Sequence, residues 1–190
     1  MTDVEIHPLT PDRWGDLEEL FGERGGADGC WCMFWRQTSA EYDAGRYEGN
    51  RKAFKRVVKG ADVPPGLLAY VDGKPAAWCA LAPREEYGRL QRSKVLGPLD
   101  DRPAWAVVCF LVDRRHRGAG LARRLLAAAA DFAREHGAKL LEGYPLDPAH
   151  RRPSSGEAYT GVVSMFRDVG FTEVARRGTT GRPIYRLELR

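Results

Sequence analysis

The sequence predicts a mixed α/β fold in a single domain spanning residues 1–190, and three observations carry that prediction. Short apolar runs of strand length alternate with segments of helical period. Two of those runs flank Asp72-Gly73, the dipeptide that favours a tight hairpin turn. A third run, Ala104–Val112, passes through a basic glycine turn into an alanine-rich amphipathic segment. A chain of 190 residues with 43% hydrophobic content is long enough to bury a real core.

Val4–Leu9 alternates as a first strand. Thr10-Pro11-Asp12 then signals a helix start, with threonine at the cap and proline at the first helical position. Trp14, Leu17, Leu20 and Phe21 give that helix an apolar face, and Gly22–Gly29 breaks it. A dense aromatic segment follows, Cys30-Trp31-Cys32-Met33-Phe34-Trp35-Arg36. A second helix fits Glu48–Lys59, with Phe54, Val57 and Val58 inward and Gly60 as terminator. Pro64-Pro65-Gly66 turns the chain into the hairpin Leu67–Val71 and Lys74–Leu81. Pro83–Pro103 shows no period and reads as a long loop, a length often used for lids and binding loops. Ala104–Val112 is the central strand and Arg117–His136 the third helix, stopped by Gly137. Leu140–Tyr144 is a strand, Asp147–Gly156 a loop, Thr160–Val169 a fourth helix, and Glu173–Arg176 with Ile184–Leu189 a closing strand pair.

Composition narrows the function classes. Charged residues make up 29% of the chain while the net charge is only +4, which argues against disorder. No apolar run reaches the roughly 18–20 residues that span a bilayer. Met1–Glu5 lacks the basic stretch and apolar core of a secretion signal. A cytoplasmic protein is expected, with no membrane partner. Arginine greatly outnumbers lysine, which suits anion recognition and also follows from GC-rich coding. Acids are interspersed among these arginines, so no contiguous basic tract marks a nucleic-acid binder. Cys30, Cys32, Cys79 and Cys109 lack the paired spacing of a metal site, so reduced thiols and no metal are expected.

The segment Val112-Asp113-Arg114-Arg115-His116-Arg117-Gly118-Ala119-Gly120-Leu121-Ala122 carries the chemistry. Gly118 and Gly120 let backbone approach a ligand without a side chain between them. The first amides of the following helix are free donors at the positive end of its dipole. That arrangement binds phosphate or pyrophosphate. No Lys-Ser/Thr pair follows the glycines, and the motif lies late in the chain, so neither a P-loop nor a dinucleotide fold is supported.

Arg117-Gly118-Ala119-Gly120-Leu121-Ala122 resembles the pyrophosphate loop, R/Q-x-x-G-x-G/A, of the GCN5-related N-acetyltransferase (GNAT) superfamily. The spacing from Val112 favours this register over the one starting at Arg115. Met165-Phe166-Arg167-Asp168-Val169-Gly170-Phe171 is similar to the family's helix-to-strand ending, and the order of elements matches over nearly the whole chain. The resemblance implies a bent mixed sheet of about seven strands with about four helices, its central parallel strands splayed. It implies an acyl-CoA-dependent N-acyltransferase that moves acetyl from acetyl-CoA to an amine by direct attack in a ternary complex. Pantetheine would lie along Phe110, Leu111 and Val112, and pyrophosphate on Arg117, Gly118, Ala119, Gly120, Leu121, Ala122 and Arg123.

The family commonly places a tyrosine four residues before the Gly-Phe pair to protonate the leaving thiolate, and here that position is Phe166. Tyr159, Ser164 and Tyr144 are the nearby candidates for the acid, and Glu142 and Glu85 for the base. Trp31 and Trp35 are candidates to line the acceptor pocket, with Arg36 beside them for an acceptor carboxylate. Phe166 also keeps open a non-catalytic acyl-CoA sensor on the same fold. The acceptor's identity is not legible, and a homodimer is compatible with the sequence.

Overall fold

The computed structural model describes residues 3–149, 158–178 and 181–190. Its strands are β1 (Val4–Pro8), β2 (Gly66–Val71), β3 (Lys74–Pro83), β4 (Trp105–Val112), β5 (Leu140–Gly143), β6 (Thr172–Arg176) and β7 (Pro183–Glu188). They form one sheet in the order β1-β2-β3-β4-β5-β7-β6. Only β4 and β5 pair in parallel; every other neighbour is antiparallel. The helices are α1 (Trp14–Phe21), α2 (Ser39–Ala44), α3 (Glu48–Gly60), α4 (Gly88–Arg92), α5 (Leu121–Glu135) and α6 (Val163–Asp168). The mixed α/β class matches the sequence prediction.

Two helices were not expected. Helix α2 is opened by a capping box, in which Thr38 Oγ1 accepts from the Glu41 amide and the Glu41 carboxylate accepts from the Thr38 amide. Helix α4 interrupts the long stretch read as loop and buries Leu90. At the N-terminus, Pro11–Arg13 forms a 3-10 turn before α1, and Thr10 makes no side-chain cap. The fourth helix is shorter than expected, because Ala158–Thr160 forms a separate 3-10 turn ahead of Val163. Residues 150–156 of the loop expected over Asp147–Gly156 lie outside the described residues. The hairpin turn is as expected: Asp72 and Gly73 take φ of 49° and 75°, the two positive values a type I′ turn requires.

Each face of the sheet carries its own core. On one face α5 presents Leu121, Leu125, Leu126 and Ala129 to Val107, Leu141, Phe166 and Tyr185. On the other, Trp14, Leu17, Phe21, Trp31, Trp35, Phe54 and Trp78 pack into an aromatic cluster.

The centre of the sheet opens because β4 bends. Ala80 of β3 faces Cys109, but Leu81 faces Val107, so Val108 is one extra residue on β4. Such a bulge kinks the strand that carries it. Pairing of β4 with β5 covers only Trp105–Val107 against Leu141–Gly143 and ends beside the bulge. From Val108 to Val112 the edge of β4 that faces β5 has no strand partner among the described residues.

The inner end of this opening is closed by Phe166, which is fully buried. A Cβ built on Gly143 would stand 2.0 Å from Phe166 Cε1. Gly143→Ala is therefore expected to overpack this point and destabilise the protein by about 1–3 kcal/mol. A urea melt checks this; a Gly143→Ala midpoint equal to wild type contradicts the packing described.

Candidate functional site

The loop after β4 is built by local rules. The Asp113 carboxylate accepts from the Arg115 amide at 2.8 Å and from Arg115 Nε at 3.1 Å, which caps the 3-10 turn Arg114–His116. Those hydrogen bonds hold the Asp113 carboxyl down at about 2. A depressed pKa stabilises the turn at every pH above the usual carboxylate range. That contribution is lost as pH falls toward 2. Gly118 and Gly120 then take φ of 80° and 77°. A Cβ on Gly118 would meet nothing within 4 Å, and one on Gly120 only Arg123 Nη2 at 3.9 Å. Space stands open over both glycines.

Helix α5 has no side-chain cap. Its first bonded amide is that of Arg124, which donates to the Gly120 carbonyl at 3.1 Å. The amides of Gly118, Gly120, Leu121, Ala122 and Arg123 meet no acceptor among the described residues. Arg117 Nε donates to the Val112 carbonyl at 3.3 Å, and Arg123 Nη1 pairs with Asp168 at 3.2 Å. Unbonded amides at the positive end of a 15-residue helix, under open space, fit a pyrophosphate.

Along β4 from that loop lies a cavity of about 270 Å³, walled by Cys109, Phe110 and Leu111 on the strand. Its far wall comes from Gly25–Asp28 of the glycine-rich break and from Cys30, Cys32, Phe34 and Trp35 of the aromatic segment, with Phe21, Tyr42 and Tyr159 completing it. The segment holds this shape through tertiary contacts. Asn50 on α3 is fully buried and donates to the carbonyls of Gly29 and Tyr42. Trp31 and Cys32 are held at φ of 45° and 57°, left-handed values that non-glycine residues rarely adopt. Strain of this kind gathers at binding sites.

The expected site residues fall into three groups. Phe110, Leu111, Trp35 and Tyr159 meet in the cavity. Trp31 does not join them; its ring stacks on Trp14 and packs against Phe21 in the core. Arg36 is paired with Glu86 at 2.6 Å and lies over the Tyr87 ring, away from this cavity. Ser164 is exposed on α6, and Glu85 is exposed on the 3-10 turn Arg84–Glu86. Glu142, expected as a proton acceptor, is instead buried between two arginines. Arg84 Nε stands 2.9 Å from one carboxylate oxygen, which also accepts from the Tyr144 hydroxyl at 2.8 Å. Arg186 Nη2 stands 2.7 Å from the other oxygen. Both oxygens are engaged, so the group ties the 3-10 turn after β3 to β5 and β7.

Tyr159 differs from Tyr144 in what surrounds its hydroxyl. Burial raises its pKa, against the opposing charge of Arg182, whose guanidinium lies 5.5 Å from the ring centroid. It therefore carries its proton at neutral pH. The thiols are free: burial pushes Cys79 up, and Cys32, bonded by the Cys109 thiol and by Trp78 Nε1 at 3.0 Å, is pulled down. Among the described residues no group of three or more His, Cys, Asp or Glu side chains is arranged to hold a metal.

The splayed parallel pair thus has an amide-lined helix start at one end and a half-open cavity farther along β4. The profile of the Acetyltransferase (GNAT) family matches residues 28–151. The chain belongs to this family. Solved GNAT-type structures share its fold. The GNAT domain of PAT from S. lividans is 20% identical, with 98% of this chain and 90% of that one covered at a TM-score of 0.57. PaiA N-acetyltransferase from Thermoplasma acidophilum, in complex with coenzyme A, is 13% identical, with 98% and 99% covered at 0.56. An aminoglycoside N-acetyltransferase in complex with CoA is 16% identical, with 93% and 92% covered at 0.57. No curated protein matches. No helix among the described residues is long and apolar enough to cross a membrane. Sequence reasoning for this GNAT chain missed Cys30, Cys109 and Tyr42 as cavity wall, although the glycines of 22–29 marked a break in regular structure there.

Proposed function

We propose that this chain, acting as one domain, transfers an acyl group from acetyl-CoA to an amine in a ternary complex. One observation carries the reading: the unpaired edge of β4 runs from the free amides at the start of α5 to the cavity at Cys109–Leu111. The amides of Gly118 to Arg123 would hold the pyrophosphate, and the backbone of Phe110–Val112 the pantetheine arm. The free thiols favour a reducing, cytoplasmic setting.

Orientation supplies most of the rate, because both reactants are held in one cleft. The amine, neutral by loss of a proton to water, attacks the thioester carbonyl. As the nitrogen gives up its extra proton to water, the carbon–sulfur bond breaks and the thiolate leaves. Phe166 cannot protonate it, being a buried hydrocarbon ring on Gly143 and Gly161. Tyr159 can: its hydroxyl stays protonated and its ring lines the cavity beside Cys109. Glu142, Glu85 and Ser164 are given no part, for the reasons of burial and exposure above.

Tyr159→Phe is expected to lower kcat about 10²–10³-fold while acetyl-CoA affinity stays within twofold. Full kcat in that variant would remove Tyr159 from the mechanism. Acetyl-CoA binding with no release of free CoA to any amine would instead favour the sensor reading, for which Phe166 in the usual tyrosine position is the supporting observation.

A further inference from the structure

A second cavity, of about 450 Å³, adjoins the first and shares Phe34 and Trp35 as a common wall. Arg89, Arg92 and Arg182 line it, and no acidic side chain among the described residues does. Several arginines elsewhere in the protein hold carboxylates, as Arg36, Arg84 and Arg186 do. These three do not. Arg89 donates to Ser39 Oγ at 3.3 Å and lies 4.2 Å from the Phe34 ring centroid. Arg182 donates to Thr160 Oγ1 and lies over Tyr159. Among the described residues no carboxylate stands within 4.0 Å of any of the three guanidiniums. The carboxylate that feels Arg92 is Glu41, and it is already engaged by the Thr38 amide at 2.8 Å and hydroxyl at 2.7 Å.

The forked donors of three guanidiniums lining one open groove match carboxylate and phosphate oxygens. Arg182 touches both this cavity and the ring of Tyr159, so an anion held here stands beside the proposed transfer point.

We propose that Arg89, Arg92 and Arg182 bind an anionic group on the acceptor, so that the amine substrate is a small molecule carrying a carboxylate or phosphate. The proposal rests on the acyltransferase reading and assigns its substrate class. Arg36, the residue the sequence suggested for this task, is taken by Glu86.

The test compares matched amines: phenylalanine with phenylalaninamide, phosphoethanolamine with ethanolamine, and spermidine as a cation. KM is measured with acetyl-CoA, and binding by calorimetry with CoA present. The anionic member of at least one pair is expected to bind at least 10-fold better than its neutral partner, and the pair that responds tells carboxylate from phosphate. Arg92→Gln and Arg89→Gln are expected to weaken that ligand about 10–100-fold while acetyl-CoA affinity is retained. Equal or better use of the neutral amines or spermidine overturns the proposal. So does failure of both anionic amines to bind, or unchanged affinity for them in both variants. If an anionic amine binds in an arginine-dependent way but no amine is acetylated, the anion site stands and the transfer reading falls. If amines are acetylated without preference for the anion, transfer stands and the anion site falls.

Discussion

Gly120→Glu is expected to weaken acetyl-CoA binding by on the order of 100-fold or more, through the loss of charge-assisted hydrogen bonds to the pyrophosphate and the added repulsion. Gly120 sits at the N-cap of α5 with φ of 77°, and a Cβ there projects into open space beside Arg123. A carboxylate on that Cβ would stand where phosphate oxygens must reach the amides of Leu121, Ala122 and Arg123. The left-handed φ adds about 1–2 kcal/mol of strain, lowering Tm by a few degrees. Gly120→Ala carries the same strain without the charge and separates the two effects. Calorimetric titration of acetyl-CoA into the folded variants reads the result. Unchanged affinity in Gly120→Glu contradicts a pyrophosphate on this loop.

Glu142→Ala is expected to be the most destabilising single change, costing about 3–5 kcal/mol. It would leave the buried guanidiniums of Arg84 and Arg186 facing each other across the vacated carboxylate, with the Tyr144 hydroxyl losing its acceptor. Arg186 retains Asp100 at 2.5 Å, which offsets part of the loss at that side. Among the described residues Arg84 keeps only the Leu96 carbonyl and the Tyr144 oxygen. The denaturant midpoint measures the cost. A shift worth less than about 1 kcal/mol would mean that the cluster is a minor contributor, as exposed pairs are. In that case the base role for Glu142 would regain its standing.

How much of this was legible in the sequence follows from the range of the forces involved. The hairpin at Asp72-Gly73 and the glycine turn at Gly118–Gly120 were readable because their conformations are set by the residues themselves. Helix α2 was missed although its signal was there: Thr38 and Glu41 have the capping-box spacing, obscured by the aromatic run just before it. Cys30–Trp35 was not readable. Trp31 and Cys32 take positive φ in a segment where Asn50 of α3 bonds the Gly29 carbonyl and the Trp31 ring packs on Gly25, contacts that no local pattern encodes. The splay of β4 likewise depends on the bulge at Val108, which only the register with β3 reveals.

Charge pairing was the least legible of all. Glu142 meets Arg84 and Arg186 because the registers of β5 with β4 and with β7 bring three distant segments together. Arg36 stood beside the cavity aromatics in sequence, yet Glu86 claims it. Arg89, from a stretch read as loop, reaches the cavity in its place.

The central claim is that acyl-CoA lies along the open edge of β4 with its pyrophosphate on the start of α5. Hydrogen–deuterium exchange at saturating acetyl-CoA tests it most directly. The account predicts slowed exchange in peptides covering Phe110–Val112 and Gly118–Arg123, with β1 and β6 unchanged. Binding of acetyl-CoA with no protection in either segment, or no binding at all, would contradict it.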